Sequence, residues 1–134
     1  MDDELDDEYG HERHYTLEQA EAALPWVAER VERIQDALEE LRSPRAEAAF
    51  EKMDSTTGGA WPGREIGASV LSLLAAAEQL EAMDIVLRDA DRGLVDFPSI
   101  RDGQEVFLCW ELGEDDVDYW HELSSGYRGR QALD

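Results

Sequence analysis

The sequence predicts an α+β fold: a long antiparallel helical hairpin, a small antiparallel β-sheet and a short C-terminal helix packed on that sheet. Apolar residues recur every three or four positions in two long stretches, which indicates two helices. After Met83 the apolar pattern becomes that of short strands separated by turns. We expect a disordered acidic tail at 1–12 and one domain at 13–134, with the hairpin at about 16–83 and the sheet and last helix at about 84–134.

The composition excludes some classes of partner. The chain has 134 residues, one cysteine and a formal net charge of -21. Binding to DNA, RNA or an anionic membrane through general charge needs a basic surface, so we expect no nucleic acid and no membrane partner. No apolar run has membrane-spanning length, and the first residues are acidic, unlike those of a signal peptide. These observations predict a soluble, cytoplasmic protein.

The first helix is predicted to begin after Thr16. Thr16 and Gln19 have the spacing of a capping box, in which each side chain accepts from the other residue's backbone N–H. Pro25 interrupts the helix, so we expect a kink or a break near 22–24. The helix should end before Pro44, because the residue before a proline disfavours the α conformation. The coiled-coil-like apolar stripe comprises Leu17, Ala20, Leu24, Val27, Val31, Ile34, Leu38 and Leu41.

A second striped helix is predicted from about Arg64. A short helical piece at 45–52 and a loop at 54–63, rich in Gly, Ser, Thr and Pro, precede it. Two such helices usually pack together as an antiparallel hairpin. The alternative is that one stripe packs against a second copy of the chain, as a homodimer. The second stripe comprises Ile66, Val70, Leu73, Ala77, Leu80 and Leu87, with Asp84 where an apolar residue is due.

Short strands and one more helix are predicted after Met83. The β-rich runs are 85–88, 94–97 and 105–110, separated by turn-forming Asp-Arg-Gly and Arg-Asp-Gly triplets. The next segment, 114–123, has acidic residues in its first turn, as helices prefer. On such a helix Glu114, Asp118 and His121 would share one face.

Negative charge is concentrated around His121. Between Arg101 and Arg128 lie eight acidic residues and no lysine or arginine. Such a block repels itself unless positive charge offsets it. Either a divalent cation or the tail residues Arg128 and Arg130 could supply that charge.

One hypothesis is a divalent-metal site where the sheet meets the last helix. Histidine and carboxylate side chains at strand ends and at a helix start can converge on Zn, Mn, Fe or Mg. The structural alternative is a histidine that hydrogen-bonds the sheet and solvated carboxylates, with Asp96 in an ion pair with Arg128 or Arg130. The candidate ligands are His121, Glu114, Asp96, Asp89 and Asp118.

Three other features bear on chemistry. His11 and His14, three residues apart, could grip a metal only if their segment becomes helical. Cys109 could act as a nucleophile, but its place in an apolar strand favours a small buried side chain. The large aromatic residues of this region are expected in the core and not in a ligand pocket: Phe97, Trp110 and Trp120.

The chain also resembles a family. Strings spread over nearly everything from 15 to 133 are similar to bacterial proteins grouped as domain of unknown function 2203. The resemblance supports the fold and implies no activity. It departs in a "GIxLKD" string, whose usual glycine and lysine stand here as Asp84 and Arg88. The matching strings are Tyr15 to Ala20, Leu24-Pro25, Gly93 to Pro98, Leu108 to Trp110, Gly113-Glu114, Trp120-His121 and Gly126 to Arg130.

The sequence favours a small metal-binding protein with a carboxylate and histidine site. The alternative is a non-enzymatic interaction or scaffold protein that dimerises or binds a partner through its helical stripe. A third hypothesis is a hydrolase built on the same metal site. No phosphate loop, Ser-His-Asp order, paired-cysteine spacing or dinucleotide-binding fingerprint occurs, so no catalytic motif is recognised.

Overall fold

The protein has helices and an antiparallel sheet, as the α+β prediction requires. A computed structural model describes residues 10–55 and 63–133, so residues 1–9 of the tail predicted at 1–12 and most of the predicted loop at 54–63 lie outside the described residues. The helices are α1 (Leu17–Leu41), α2 (Pro44–Ser55) and α3 (Arg64–Ala82). The strands are β1 (Val86–Asp89), β2 (Leu94–Arg101), β3 (Gln104–Glu111), β4 (Tyr119–Glu122) and β5 (Gln131–Ala132), with a 3-10 turn at Tyr127–Gly129.

Helix α1 begins with the predicted capping box. The Gln19 N–H donates to the Thr16 hydroxyl over 3.1 Å, and the Thr16 N–H donates to the Gln19 side-chain oxygen over 2.9 Å. The helix is continuous through Pro25, so it does not break there. After α1 ends, Ser43 caps α2, because its hydroxyl accepts from the Ala46 N–H over 3.1 Å.

Helices α1 and α3 form the predicted antiparallel hairpin. Arg30 donates to the Gln79 side chain over 2.9 Å, whereas Asp36 and Ala37, further along α1, border the same depression as Ala68, near the start of α3. Rising numbers in α1 therefore face falling numbers in α3. None of the described helices combines the length and apolar character needed to cross a membrane.

The sheet is a simple meander in the order β1-β2-β3-β4-β5, with every neighbouring pair antiparallel. Strands β2 and β3 are joined by the two-residue turn Asp102–Gly103, and Arg101 pairs with Gln104. Both turn residues have positive φ, 52° and 79°, as a type I′ hairpin turn requires. This turn fixes the register of the whole hairpin.

The two faces of the sheet have different environments. The inner face packs on the helices: Val95 and Phe97 of β2 and Leu108 and Trp110 of β3 share one core with Val31 of α1. Since side chains alternate along a strand, the residues between them point to the outer face. That outer face also carries buried residues, among them Asp96, Phe107, Cys109 and His121.

The prediction of a C-terminal helix is wrong. Segment 114–123 is not a helix, because Tyr119–Glu122 form β4 and pair with β3, which otherwise would leave its backbone groups unpaired. The helical element near the C terminus is only the 3-10 turn. The tail predicted at 1–12 is described only from residue 10, and there the backbone N–H groups of Gly10 and His11 donate to the Glu105 carboxylate over 2.9 and 3.1 Å.

A glycine in the β1–β2 turn provides a test of the packing between sheet and helix. Gly93 has φ 71°, and a Cβ there would lie 2.5 Å from the Leu112 Cβ and 3.2 Å from the Val31 Cγ1. We expect Gly93→Ala to lower the free energy of unfolding by about 2 kcal/mol or more, measured by urea denaturation. Gly103→Ala is the control, because Gly103 also has positive φ but open space around it; it should cost about 1 kcal/mol. Equal losses would contradict the close approach.

Candidate metal-binding site

Three strands place Asp96, Cys109 and His121 together on the outer face. Asp96 of β2 lies directly opposite Cys109 of β3, and Cys109 lies opposite Tyr119 of β4. His121 is two residues beyond Tyr119, so it points to the same face. One potential ligand atom from each of the three residues lies within 4.8 Å of the other two. All three residues are buried, at 1% exposure.

Both ring nitrogens of His121 have partners. Nδ1 lies 2.7 Å from the backbone oxygen of Glu122, and Nε2 lies 3.0 Å from Asp96 Oδ1. A carbonyl oxygen can only accept, so Nδ1 carries a proton and Nε2 faces the other two residues of the cluster. Fixing one imidazole nitrogen by a backbone carbonyl is how proteins orient the other nitrogen of a metal-binding histidine.

The electrostatic environment keeps His121 protonated when no metal is bound. Burial alone would lower the pKa of His121, but hydrogen bonds with Asp96, Cys109 and the Glu122 carbonyl, together with the charge of Asp96, raise that pKa to about 10. At neutral pH the imidazolium therefore balances the buried Asp96 carboxylate.

Two arginines border the cluster. Arg88 Nε donates to Asp96 Oδ2 over 2.8 Å, which leaves Oδ1 for His121. Arg130 interacts with the thiol of Cys109 and donates to a Glu114 carboxylate oxygen over 2.6 Å. The Arg130 Nε–H is buried and has no acceptor in the described part of the chain. One carboxylate oxygen, one sulfur and one imidazole nitrogen thus lie close together, with two arginine side chains beside them.

The arrangement does not fit a Cys-His-Asp nucleophilic triad. In such a triad the imidazole bridges the acid and the nucleophile through its two different nitrogens. Here His121 Nδ1 is bound to the Glu122 carbonyl, so Cys109 and Asp96 share the same side of the ring. Cys109 is also 1% exposed, which keeps a substrate from its sulfur.

Of the five ligands suggested by the sequence, the structure brings together two, Asp96 and His121. Asp89 lies at the end of β1, where its Oδ1 accepts from the Arg92 N–H over 3.1 Å. Glu114 accepts from the Glu111 N–H and from Arg130, outside the cluster. Asp118 is exposed just before β4. Glu114 and Asp118 do not join His121, because the segment predicted as a helix is a loop and a strand, and Asp89 is held at the β1–β2 turn.

The arginine partners also differ from the expected ones. The carboxylate of Asp96 pairs with Arg88 of the neighbouring strand and not with Arg128 or Arg130. Arg130 pairs with Glu114, and Arg128 is exposed. The pairing with Arg88 could have been predicted from the sequence. Strands β1 and β2 pair with Val86 opposite Asp96, and Arg88 is two residues after Val86, so it lies on the same face.

Sequence reasoning did not include Cys109 among the ligands. Its burial matches the expectation for a small side chain in an apolar strand. The register of the hairpin held a further signal: closing the chain at Asp102–Gly103 pairs residues symmetrically about that turn, and this places Cys109 opposite Asp96.

Side chains from outside the acidic block between Arg101 and Arg128 pair with part of it. Arg92 pairs with Glu111, with 2.8 Å between the nitrogen and the carboxylate oxygen. His11 and His14 both contact the Glu105 carboxylate. Together with the pair between Arg130 and Glu114, these contacts reduce the repulsion that the sequence alone suggests.

The raised pKa of His121 predicts that the metal-free protein loses stability as the pH rises. The unfolded chain loses this proton near pH 6.5, whereas the folded chain keeps it to about pH 10. The stabilisation is therefore fully present below about pH 6.5 and disappears towards pH 10, at up to about 1.4 kcal/mol per pH unit. Urea unfolding in EDTA at about pH 7 and about pH 9 measures this slope, and His121→Gln should flatten it. Identical slopes in the two proteins would contradict the ion pair.

Comparisons with curated proteins and with solved structures give no match. The sequence profile of one family, described as "Uncharacterized conserved protein (DUF2203)", matches residues 13–133. This match covers nearly the whole chain and confirms the resemblance seen in the sequence. The chain therefore belongs to the family grouped as domain of unknown function 2203.

Proposed function

We propose that the protein binds one divalent transition-metal ion through Asp96, Cys109 and His121. The observation that carries the proposal is the convergence of three different ligand atoms within 4.8 Å on the buried outer face of the sheet. Sulfur, nitrogen and oxygen donors together suit Zn²⁺, and Fe²⁺ less well. Mg²⁺ prefers oxygen ligands throughout, so the thiol makes it a poor candidate.

Charge balance supports a divalent ion in particular. Without metal, a protonated His121 offsets the Asp96 carboxylate, and a thiol at Cys109 adds no charge. A divalent ion would displace one proton from His121 Nε2 and one from Cys109, because metal ligands must be deprotonated. The net charge of the buried cluster would stay the same. The neighbouring Arg88 and Arg130 would therefore meet no added repulsion.

The surroundings also support metal binding. The backbone carbonyl of Glu122 holds the His121 ring, with 2.7 Å between the two atoms, so Nε2 keeps its direction when its proton leaves. A thiolate at Cys109 would place negative charge beside the partly buried Arg130 side chain, whose buried Nε–H has no acceptor in the described residues. Three protein ligands would leave the fourth position of a tetrahedral ion for water or another small molecule.

Cobalt titration of tag-free, EDTA-treated protein tests the proposal. Co²⁺ bound to a thiolate gives a charge-transfer absorption that nitrogen and oxygen ligands do not give. We expect this band to saturate at one ion per chain, to vanish in Cys109→Ser and to require at least tenfold more Co²⁺ in His121→Gln. Zn²⁺ should displace the band, and calorimetry in buffers of different protonation enthalpy should show protons released on binding.

Asp89→Asn is the matched control for Asp96→Asn. Both carboxylates lie on neighbouring strands, but only Asp96 faces the cluster. The control should bind Co²⁺ like the unsubstituted protein, whereas Asp96→Asn should bind it at least tenfold more weakly. Circular dichroism should show that each variant is folded. A folded protein that gives no thiolate band, or an unchanged band in His121→Gln, would contradict the proposal.

The alternative, an interaction protein that dimerises through its helical stripe, remains a prediction. It has less support, because the middle of the α1 stripe, including Val27, Val31 and Ile34, is buried within the chain. The large exposed hydrophobic residues of α3 are Leu71 and Leu74, at 63% and 58% exposure, and neither lies on the predicted stripe. Light scattering of the unsubstituted chain and of Leu71→Glu tests this alternative. A monomeric mass for both proteins would count against self-association through either face.

A further inference from the structure

Helix α3 carries an apolar patch on the side that faces away from the core. Leu71 and Leu74 are the two most exposed large hydrophobic residues in the described part of the chain, at 63% and 58% exposure. The opposite side of the helix, which carries Leu73, Ala76 and Leu80, packs in the core. Neighbouring exposed apolar side chains on a strongly charged protein are typical of an interaction surface.

Two alanines extend this patch along the helix. Ala68 lies three residues before Leu71 and Ala75 lies four residues after it, so both are neighbours of Leu71 on the helix surface. Both alanines are exposed, and we call Ala68, Leu71, Leu74 and Ala75 the outer patch. An open depression lined in part by Gly67, Ala68 and Leu71 lies at one end of it. The outer patch therefore combines two large side chains with a recess beside them.

One positive and one negative side chain flank the outer patch symmetrically. Arg64 lies seven residues before Leu71, and Glu78 lies seven residues after it. Seven residues are close to two helical turns, so both side chains lie on the same side of α3 as Leu71, about 10 Å from it in opposite directions. Both residues are exposed, and within the described residues no ion pair forms at either of them.

We propose that the outer patch binds the outer patch of a second copy of this chain, with the two α3 helices antiparallel about a two-fold axis at Leu71. Such an axis places each residue opposite the residue that is equally far from Leu71 in the second copy. Arg64 then lies beside Glu78 of the second copy, and Leu74 lies over the depression at Gly67 of the second copy. This inference goes beyond metal binding and does not depend on it.

The charges favour the antiparallel arrangement over a parallel one. A parallel pair would place Arg64 beside Arg64 and Glu78 beside Glu78, and like charges in contact oppose association. The net charge of -21 on each copy also opposes association, but at about 0.15 M salt charges more than about 8 Å apart are largely screened. One pair of helices is a small interface, so we expect a reversible dimer that dissociates on dilution.

Sedimentation of the full chain in EDTA, at about 0.15 M salt, tests this inference independently of metal binding. We expect the mass to change from monomer to dimer between about 1 µM and about 1 mM protein. Leu71→Glu should weaken the dimer at least tenfold, because it places two carboxylates at the two-fold axis. Leu123→Glu is the matched control, because Leu123 is also exposed, at 45%, but lies outside α3.

Charge reversal tests the arrangement of the two helices. Arg64→Glu and Glu78→Arg should each weaken the dimer at least threefold, and the double variant should restore it. General charge would act differently, because Glu78→Arg lowers the net negative charge and would then strengthen the dimer. Both substitutions place charges that favour the ends of a helix, so we expect α3 to remain folded, as circular dichroism should show.

Three results would overturn the proposal. The first is a monomeric mass at every concentration, which would leave the outer patch to another occupant, such as residues 56–62 or a different protein. The second is a dimer that Leu71→Glu leaves unchanged. The third is a double charge variant that associates no more strongly than the two single variants, because the antiparallel pairing requires the rescue.

Discussion

The register between β2 and β3 is the constraint on which the rest of the structure depends. The turn at Asp102–Gly103 contains only two residues, so β2 and β3 cannot pair in a shifted register. With this register, Phe97 and Leu108 face the helices, while Asp96 and Cys109 face the other way. A slip of one strand by one residue would turn its apolar side chains away from α1 and its polar side chains into the core.

Because Asp96 and His121 are buried on the outer face, they need partners that replace water. Asp96 is paired twice, with Arg88 and with His121, and Glu105 is bound by the N-terminal segment. Leaving a buried charge without a partner costs several kcal/mol, which is a large part of the free energy of unfolding of a small domain. This requirement explains why segments outside the regular elements, at residues 10–15 and around Arg130, are ordered against the sheet.

The fold was largely predictable because its signals are local. The capping box at Thr16, the stripe of α1 and the turn at Asp102–Gly103 each depend on residues close in sequence. The structure of the segment around His121 was not predictable in this way, because its acidic first residues are also compatible with a helix start. Its strand structure depends on the free edge of β3, which is distant in sequence.

The candidate site was predictable only in part for the same reason. Asp96 and His121 are residue types that commonly bind metals, so the sequence alone singles them out. The structure places His121 Nε2 3.0 Å from Asp96 Oδ1. Cys109 joins them only through the strand register, and His11 and His14 meet Glu105 only because the chain folds back over the sheet. Long-range contacts of this kind leave no periodic signal in the sequence.

The proposed metal centre would give the polar residues on the outer face of the sheet a role beyond stability. Anomalous X-ray diffraction at the zinc edge, on crystals grown with Zn²⁺, tests it most directly. The account predicts a peak bounded by Asp96 Oδ1, Cys109 Sγ and His121 Nε2, at about 2.0–2.3 Å from each atom. The absence of an anomalous peak beside Cys109, with His121 Nε2 still hydrogen-bonded to Asp96, would contradict it.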